Sequence, residues 1–165
     1  MNIRKLRGFT LIELLVVIAI IAILASIILA SLNSARIKSR DTRRVADVKE
    51  LQNALELYNN SNGQYPPNLA ALVPTYISVE PMDPQSTTTA YSYGPLAITA
   101  STATCSSYHL GATLEQTTNT ALSSKAGMTI STATVANSHG LYLCTAVGAS
   151  ADFSGTPAAV YDLTP

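Results

Sequence analysis

Residues 9–32 read FTLIELLVVIAIIAILASIILASL, 24 positions with a single charge at Glu13 and neither glycine nor proline. As a helix this stretch would extend ~36 Å at about 1.5 Å per residue, enough to cross a bilayer core of roughly 30 Å. A cleavable secretory signal has a shorter apolar run, about 7–15 residues, closed by a small-residue cleavage site. Neither feature is present, so the run reads as a membrane-spanning helix. Arg4, Lys5 and Arg7 precede it, and the positive-inside rule puts residues 1–8 in the cytoplasm and the chain beyond residue 33 outside. Arg36, Lys38 and Arg40, just after the span, oppose that bias.

Glu13 is the anomaly, because a carboxylate at mid-membrane costs about 2.5–3.5 kcal/mol and less near an end. Two readings stay open: an acid tolerated near the interface, or an acid waiting for a cation at its own depth. Cutting the chain between Gly8 and Phe9 would create that cation, a new α-amine four residues from Glu13. Ala22, Ser26, Ala30 and Ser34 recur at a four-residue spacing, which lays small side chains along one stripe where a second helix can approach. The alternative is that alanine and serine are common in any membrane helix.

Beyond residue 32 the helix is expected to continue, since no breaker occurs before Gly63 and Val45, Val48, Leu51, Leu55 and Tyr58 recur at spacings of three and four. The span 33–62 is therefore amphipathic. Arg36, Lys38, Arg40, Arg43 and Arg44, interleaved with Asp41 and Asp47, are expected on its solvated faces, with lipid head groups or an acidic patch on a neighbour as a further contact for the basic cluster. Gly63 suits a left-handed cap, and Pro66-Pro67 forbids resumption. A helix from Phe9 to Ser61 would be ~80 Å long at about 1.5 Å per residue; its first half needs lipid or other subunits.

Residues 63–165 form the expected head. Residues 64–90 read as an irregular connector with one turn of helix. Strand-like pieces follow near 90–93, 108–114, 128–135 and 141–147. Three to four antiparallel strands covered by the stripe ending in Leu55 and Tyr58 give an α+β fold, a long helix on a small sheet. Mean hydropathy is +0.24 and net charge zero. From residue 51 onward only Lys125 opposes six acids, so the head has no nucleic-acid footprint.

The run Arg4-Lys5-Leu6-Arg7-Gly8-Phe9-Thr10-Leu11-Ile12-Glu13, continuing into Leu14-Leu15-Val16-Val17-Ile18, resembles the class III leader of type IV prepilins and type II secretion pseudopilins. The resemblance implies that residues 1–8 are a leader removed by prepilin peptidase after Gly8, that the Phe9 amine is N-methylated, and that Glu13 sets subunit register. It further implies a pilin-like fold and a subunit held in the bacterial inner membrane, then assembled by inner-membrane machinery into a filament with its own copies and minor pilins. Many such proteins carry a helix-breaking proline partway along this segment, whereas Ala30 and its neighbours here are free of proline.

Cys105 and Cys144 are the only cysteines. In an exported domain they are a candidate disulfide, the alternative being two small core residues. His109 and His139 lack an acidic or cysteine partner at metal-binding spacing and read as polar surface or satisfied core. Asp152 and Asp162 offer oxygen donors too sparse for calcium, so no metal or cofactor is expected. Asn59-Asn60-Ser61 matches a glycosylation sequon that arises easily by chance. No phosphate loop, clustered acid and base or nucleophile elbow is present, so no catalytic residue is assigned. The competing function classes are a filament subunit of a pilus, a type II secretion pseudopilin, and a monomeric single-pass binding protein whose N-terminus would remain Met1. A membrane-tethered hydrolase has the least support.

Overall fold

The computed structural model describes residues 9–86, 88–97, 104–124, 142–144 and 160–165. Helix α1 runs Leu11–Asn62, 52 residues, within two residues of the expected bounds at each end. It stops where the sequence requires: Gly63 has φ +72°, in the left-handed region, and its N–H donates to Asn59 O at 2.7 Å. Two further last-turn carbonyls are capped by side chains, Leu57 O by Ser61 Oγ at 3.0 Å and Tyr58 O by Asn62 Nδ2 at 2.9 Å. The chain divides into two compact units, Met1–Ile37 and Lys38–Pro165.

In the first unit the described helix exposes its large apolar side chains, Leu11 through Leu32, on every face. A helix apolar all round has no aqueous solution of its own, and this one is long and apolar enough to cross a membrane.

In the second unit one helix stripe is buried: Val48, Leu51 and Leu55 are fully enclosed, with Val45 and Tyr58 partly covered. They pack on a four-stranded antiparallel sheet of β1 (Ser92–Ala97), β2 (Ser107–Thr113), β3 (Tyr142–Leu143) and β4 (Val160–Leu163), in the order β3-β1-β2-β4. Period-two alternation sends Tyr108, Leu110 and Ala112 of β2 and Tyr161 of β4 into the cluster that contains the helix stripe. Tyrosines fasten the layers. Tyr65 and Tyr93 pack on the Tyr108 ring at centroid distances of 4.8 and 6.4 Å. The Tyr65 hydroxyl donates to Glu56 at 3.1 Å, and the Tyr91 hydroxyl to Asp47 at 2.7 Å. The connector contains one 3-10 turn, Leu69–Leu72, whose Leu69 and Leu72 complete the core.

The architecture is the expected α+β arrangement, with three differences in detail. First, β1 lies at Ser92–Ala97 rather than 90–93, because Pro95 is tolerated inside a strand: its carbonyl accepts from Cys144 N at 3.0 Å, so its nitrogen also points away from β2 and no β1–β2 hydrogen bond is lost. Second, the tail supplies a strand, β4, where none was expected. Third, Asp41 and Arg44 are not on a solvated face; they are 0% and 3% exposed. The expected strand at 128–135 lies outside the described residues, as does most of that at 141–147, of which Tyr142–Leu143 is seen.

Candidate functional site

Thr10 and Glu13 close the first turn of α1 reciprocally. The Glu13 N–H donates to Thr10 Oγ1 at 3.3 Å, while the Thr10 N–H and hydroxyl donate to Glu13 Oε2 at 2.8 and 2.7 Å. This is a capping box, and T-x-x-E before an apolar run was its signal in the sequence. Glu13 thus has a partner within its own chain, a third account beside the two left open above. All of this bonding falls on Oε2; Oε1 has no partner among the described residues, and the Phe9 nitrogen takes no part. Phe9, 83% exposed, joins Ile12, Glu13, Val16 and Val17 in lining a shallow apolar groove of about 360 Å³.

Gly8 lies outside the described residues. Ala22, Ser26 and Ser34 are exposed on the helix, with the Ser26 hydroxyl donating back to Ile23 O at 2.7 Å; Ala30 is in the same helix.

A second constellation went unread in the sequence. Arg44 donates from Nε and Nη2 to the two Asp83 oxygens at 2.7 and 3.0 Å, and from Nη1 to Asp41 Oδ1 at 2.9 Å and Glu115 Oε1 at 2.8 Å. Arg40 forks onto Glu115 at 2.7 and 2.6 Å. Asp41 also accepts the backbone N–H groups of Glu115 and Gln116, both at 2.9 Å. Three carboxylates from the helix and two loops therefore meet two guanidinium groups. Hydrogen bonds from Arg40 first, and from Arg44, hold the Glu115 carboxyl down at about 2. Arg44 does the same for Asp83, in direction. Arg44 itself is raised, chiefly by Asp83, despite its burial. The signal was the apolar stripe continued toward the N-terminus: 41, 44, 48, 51 and 55 keep the three-four spacing.

His109 and Asp162 are fully buried and meet at Nε2···Oδ2 3.0 Å across β2 and β4. The histidine's acidic partner is thus 53 residues away, and Asp162 is spent on it. Asp152 and His139 lie outside the described residues. Asn59 sits in α1, within its last turn. Cys105 and Cys144 are joined by a disulfide, Cα–Cα 5.6 Å. Among the described residues no three His, Cys, Asp or Glu side chains gather as a metal ion would need.

A family model for the prokaryotic N-terminal methylation motif matches residues 3–29. The chain is 46% identical over 70 residues to the type IV wide pilus major component PilA4 of Thermus thermophilus, covering 42% of this chain and 53% of that one. It is 44% identical over 62 residues to type II secretion system core protein G of Escherichia coli (38% and 43% covered). To core protein G of Vibrio cholerae it is 40% identical over 81 residues (47% and 56%). The matched part spans about half the length of these relatives. No solved structure matches.

Proposed function

We propose that this chain, which carries the prepilin N-terminal methylation motif, is a structural subunit of a type IV pilus or pilus-like filament. Residues 1–8 are removed after Gly8, residues 9–32 hold the subunit in the membrane and later pack in the filament core, and the head lies outside the cytoplasm. One observation carries the reading: a described helical stretch, residues 11–32, with large apolar side chains exposed on all faces, whose single acid sits beside the residue that cleavage would turn into an N-terminus. That surface needs lipid before assembly and other helices after it. The new Phe9 amine is the cation for the open side of a neighbouring copy's Glu13, because Thr10 occupies only Oε2.

The matches to core protein G favour a second reading, a type II secretion pseudopilin, which shares the processing and helix packing and differs in the machine served. Prepilin peptidase, minor pilins and the inner-membrane assembly machinery are the partners in either case. Intact-mass measurement on protein from its own cells tests the shared part: the expected mass lacks residues 1–8, and protein that keeps Met1 and yields no filaments under the microscope refutes both. Deleting the neighbouring secretion genes, where present, separates them: loss of exoprotein export without loss of surface pili assigns the pseudopilus.

A further inference from the structure

The outer side of α1 and the loop 79–86 enclose an open groove of about 460 Å³. Its charges are unevenly satisfied. Asp83 is committed to Arg44, and Asp47 accepts from Tyr91 with Arg43 at 3.8 Å. Glu50 and Glu80 line the same groove with no cationic partner among the described residues, beside Val79, which is 75% exposed. The complementary charge is on the same helix: Lys38 is exposed and has no acidic partner among the described residues, with Arg36 two residues before it.

We propose that this groove receives the Lys38 segment of a second copy, displaced along the helix axis by the 12 residues that separate Lys38 from Glu50, or ~18 Å. The inference rests on the filament reading above and adds to it a contact outside the apolar core. Donor and acceptor are different patches, so the interface is heterologous: each docked copy presents its own groove to the next, and the contact propagates instead of closing. Covering Val79 removes apolar surface from water and lowers the local dielectric around the two carboxylates, strengthening an ion pair that would be weak in open solvent.

Zero-length carbodiimide cross-linking of purified filaments tests this directly. One straight helix keeps its own Lys38 and Glu50 ~18 Å apart, so an amide joining them reports two copies. The expected result is Lys38 linked to Glu50 or Glu80 in filaments and lost in detergent-dispersed subunits. A Glu50→Lys, Glu80→Lys variant should lower filament yield severalfold, with Lys38→Glu in that background restoring it. Intact filaments in which Lys38 links to neither acid, or an unchanged yield in the reversed variant, overturn the docking and leave the filament reading standing. Yield that falls with Lys38→Glu alone but not with the reversed acids assigns Lys38 to lipid head groups and also overturns it. Wild-type protein that keeps Met1 and forms no filaments removes both readings together.

Discussion

Replacing Arg44 with methionine keeps the aliphatic bulk in the stripe and deletes the guanidinium. Four hydrogen bonds to three carboxylates are lost. Removing one partner of a buried ion pair costs about 3–5 kcal/mol, because the other charge is stranded. Two features place this case at the low end: Asp41 keeps its bonds from Glu115 N and Gln116 N, and the Asp83 and Glu115 side chains are 21% and 23% exposed, so water rehydrates them in part. The expected loss is about 3 kcal/mol, or roughly 10 °C in Tm for a unit of this size. Arg43→Met is the internal control: its side chain is 68% exposed and 3.8 Å from Asp47, worth about 0.5 kcal/mol or less. The assay is thermal and urea unfolding of the full chain in detergent, followed by near-UV circular dichroism of the core tyrosines, since far-UV signal is dominated by α1. An Arg44→Met protein that unfolds within about 1 kcal/mol of wild type refutes the reasoning, because a merely solvated arginine would behave that way.

The same cluster sets an acid limit. Glu115 is depressed from 4.5 to about 2 and Asp83 is depressed from 3.8, so their stabilisation is complete above the unfolded values and is lost as pH falls from about 4.5 toward 2; urea midpoints at pH 7 and pH 3 should show a loss that shrinks in Arg44→Met. Reducing the disulfide reopens a chain loop of separation 39, worth roughly 3–4 kcal/mol on the chain-entropy model, and dithiothreitol should lower Tm accordingly. Glu13→Val should leave cleavage after Gly8 intact, seen by mass, while cutting incorporation into filaments with unaltered subunits; normal incorporation would remove the register role. Thr10→Ala loses the cap, at about 1 kcal/mol of helix-end stability, but should retain assembly if the neighbour's amine is the carboxylate's filament partner.

The helix was legible because its signals are local: an unbroken apolar run, then Val48, Leu51 and Leu55 at helical spacing, then a glycine where only a left-handed residue fits. Arg43 and Arg44 show where local reading fails. They are adjacent and chemically identical, yet 100° of helix rotation separates an exposed side chain from a buried one, and only extending the stripe to 44 and 41 distinguishes them. The loop partners Asp83 and Glu115 lie 39 and 71 residues from Arg44, beyond any periodicity. Strand β4 was missed because Val160-Tyr161-Asp162-Leu163 buries a polar side chain, and its partner, His109, is on another strand. At the N-terminal site Glu13 stood out by cost, whereas Thr10, a common residue, did not.

The bridge between Cys105 and Cys144 has a consequence for quality control. Among the described residues strand β3 has two rungs on β1, at Leu96 and Ala97, with one further bond from Cys144 N to Pro95 O, and so short a pairing does not persist unaided. Cys105 O meanwhile accepts from Tyr65 N at 2.8 Å, so the sulfur link staples the β3 rim of the sheet to chain anchored just past the helix. Before oxidation Ser92–Ala97 would stand as a bare margin, adhesive toward any extended peptide nearby. Cells short of thiol oxidant should therefore accumulate clumped subunits rather than merely softened ones.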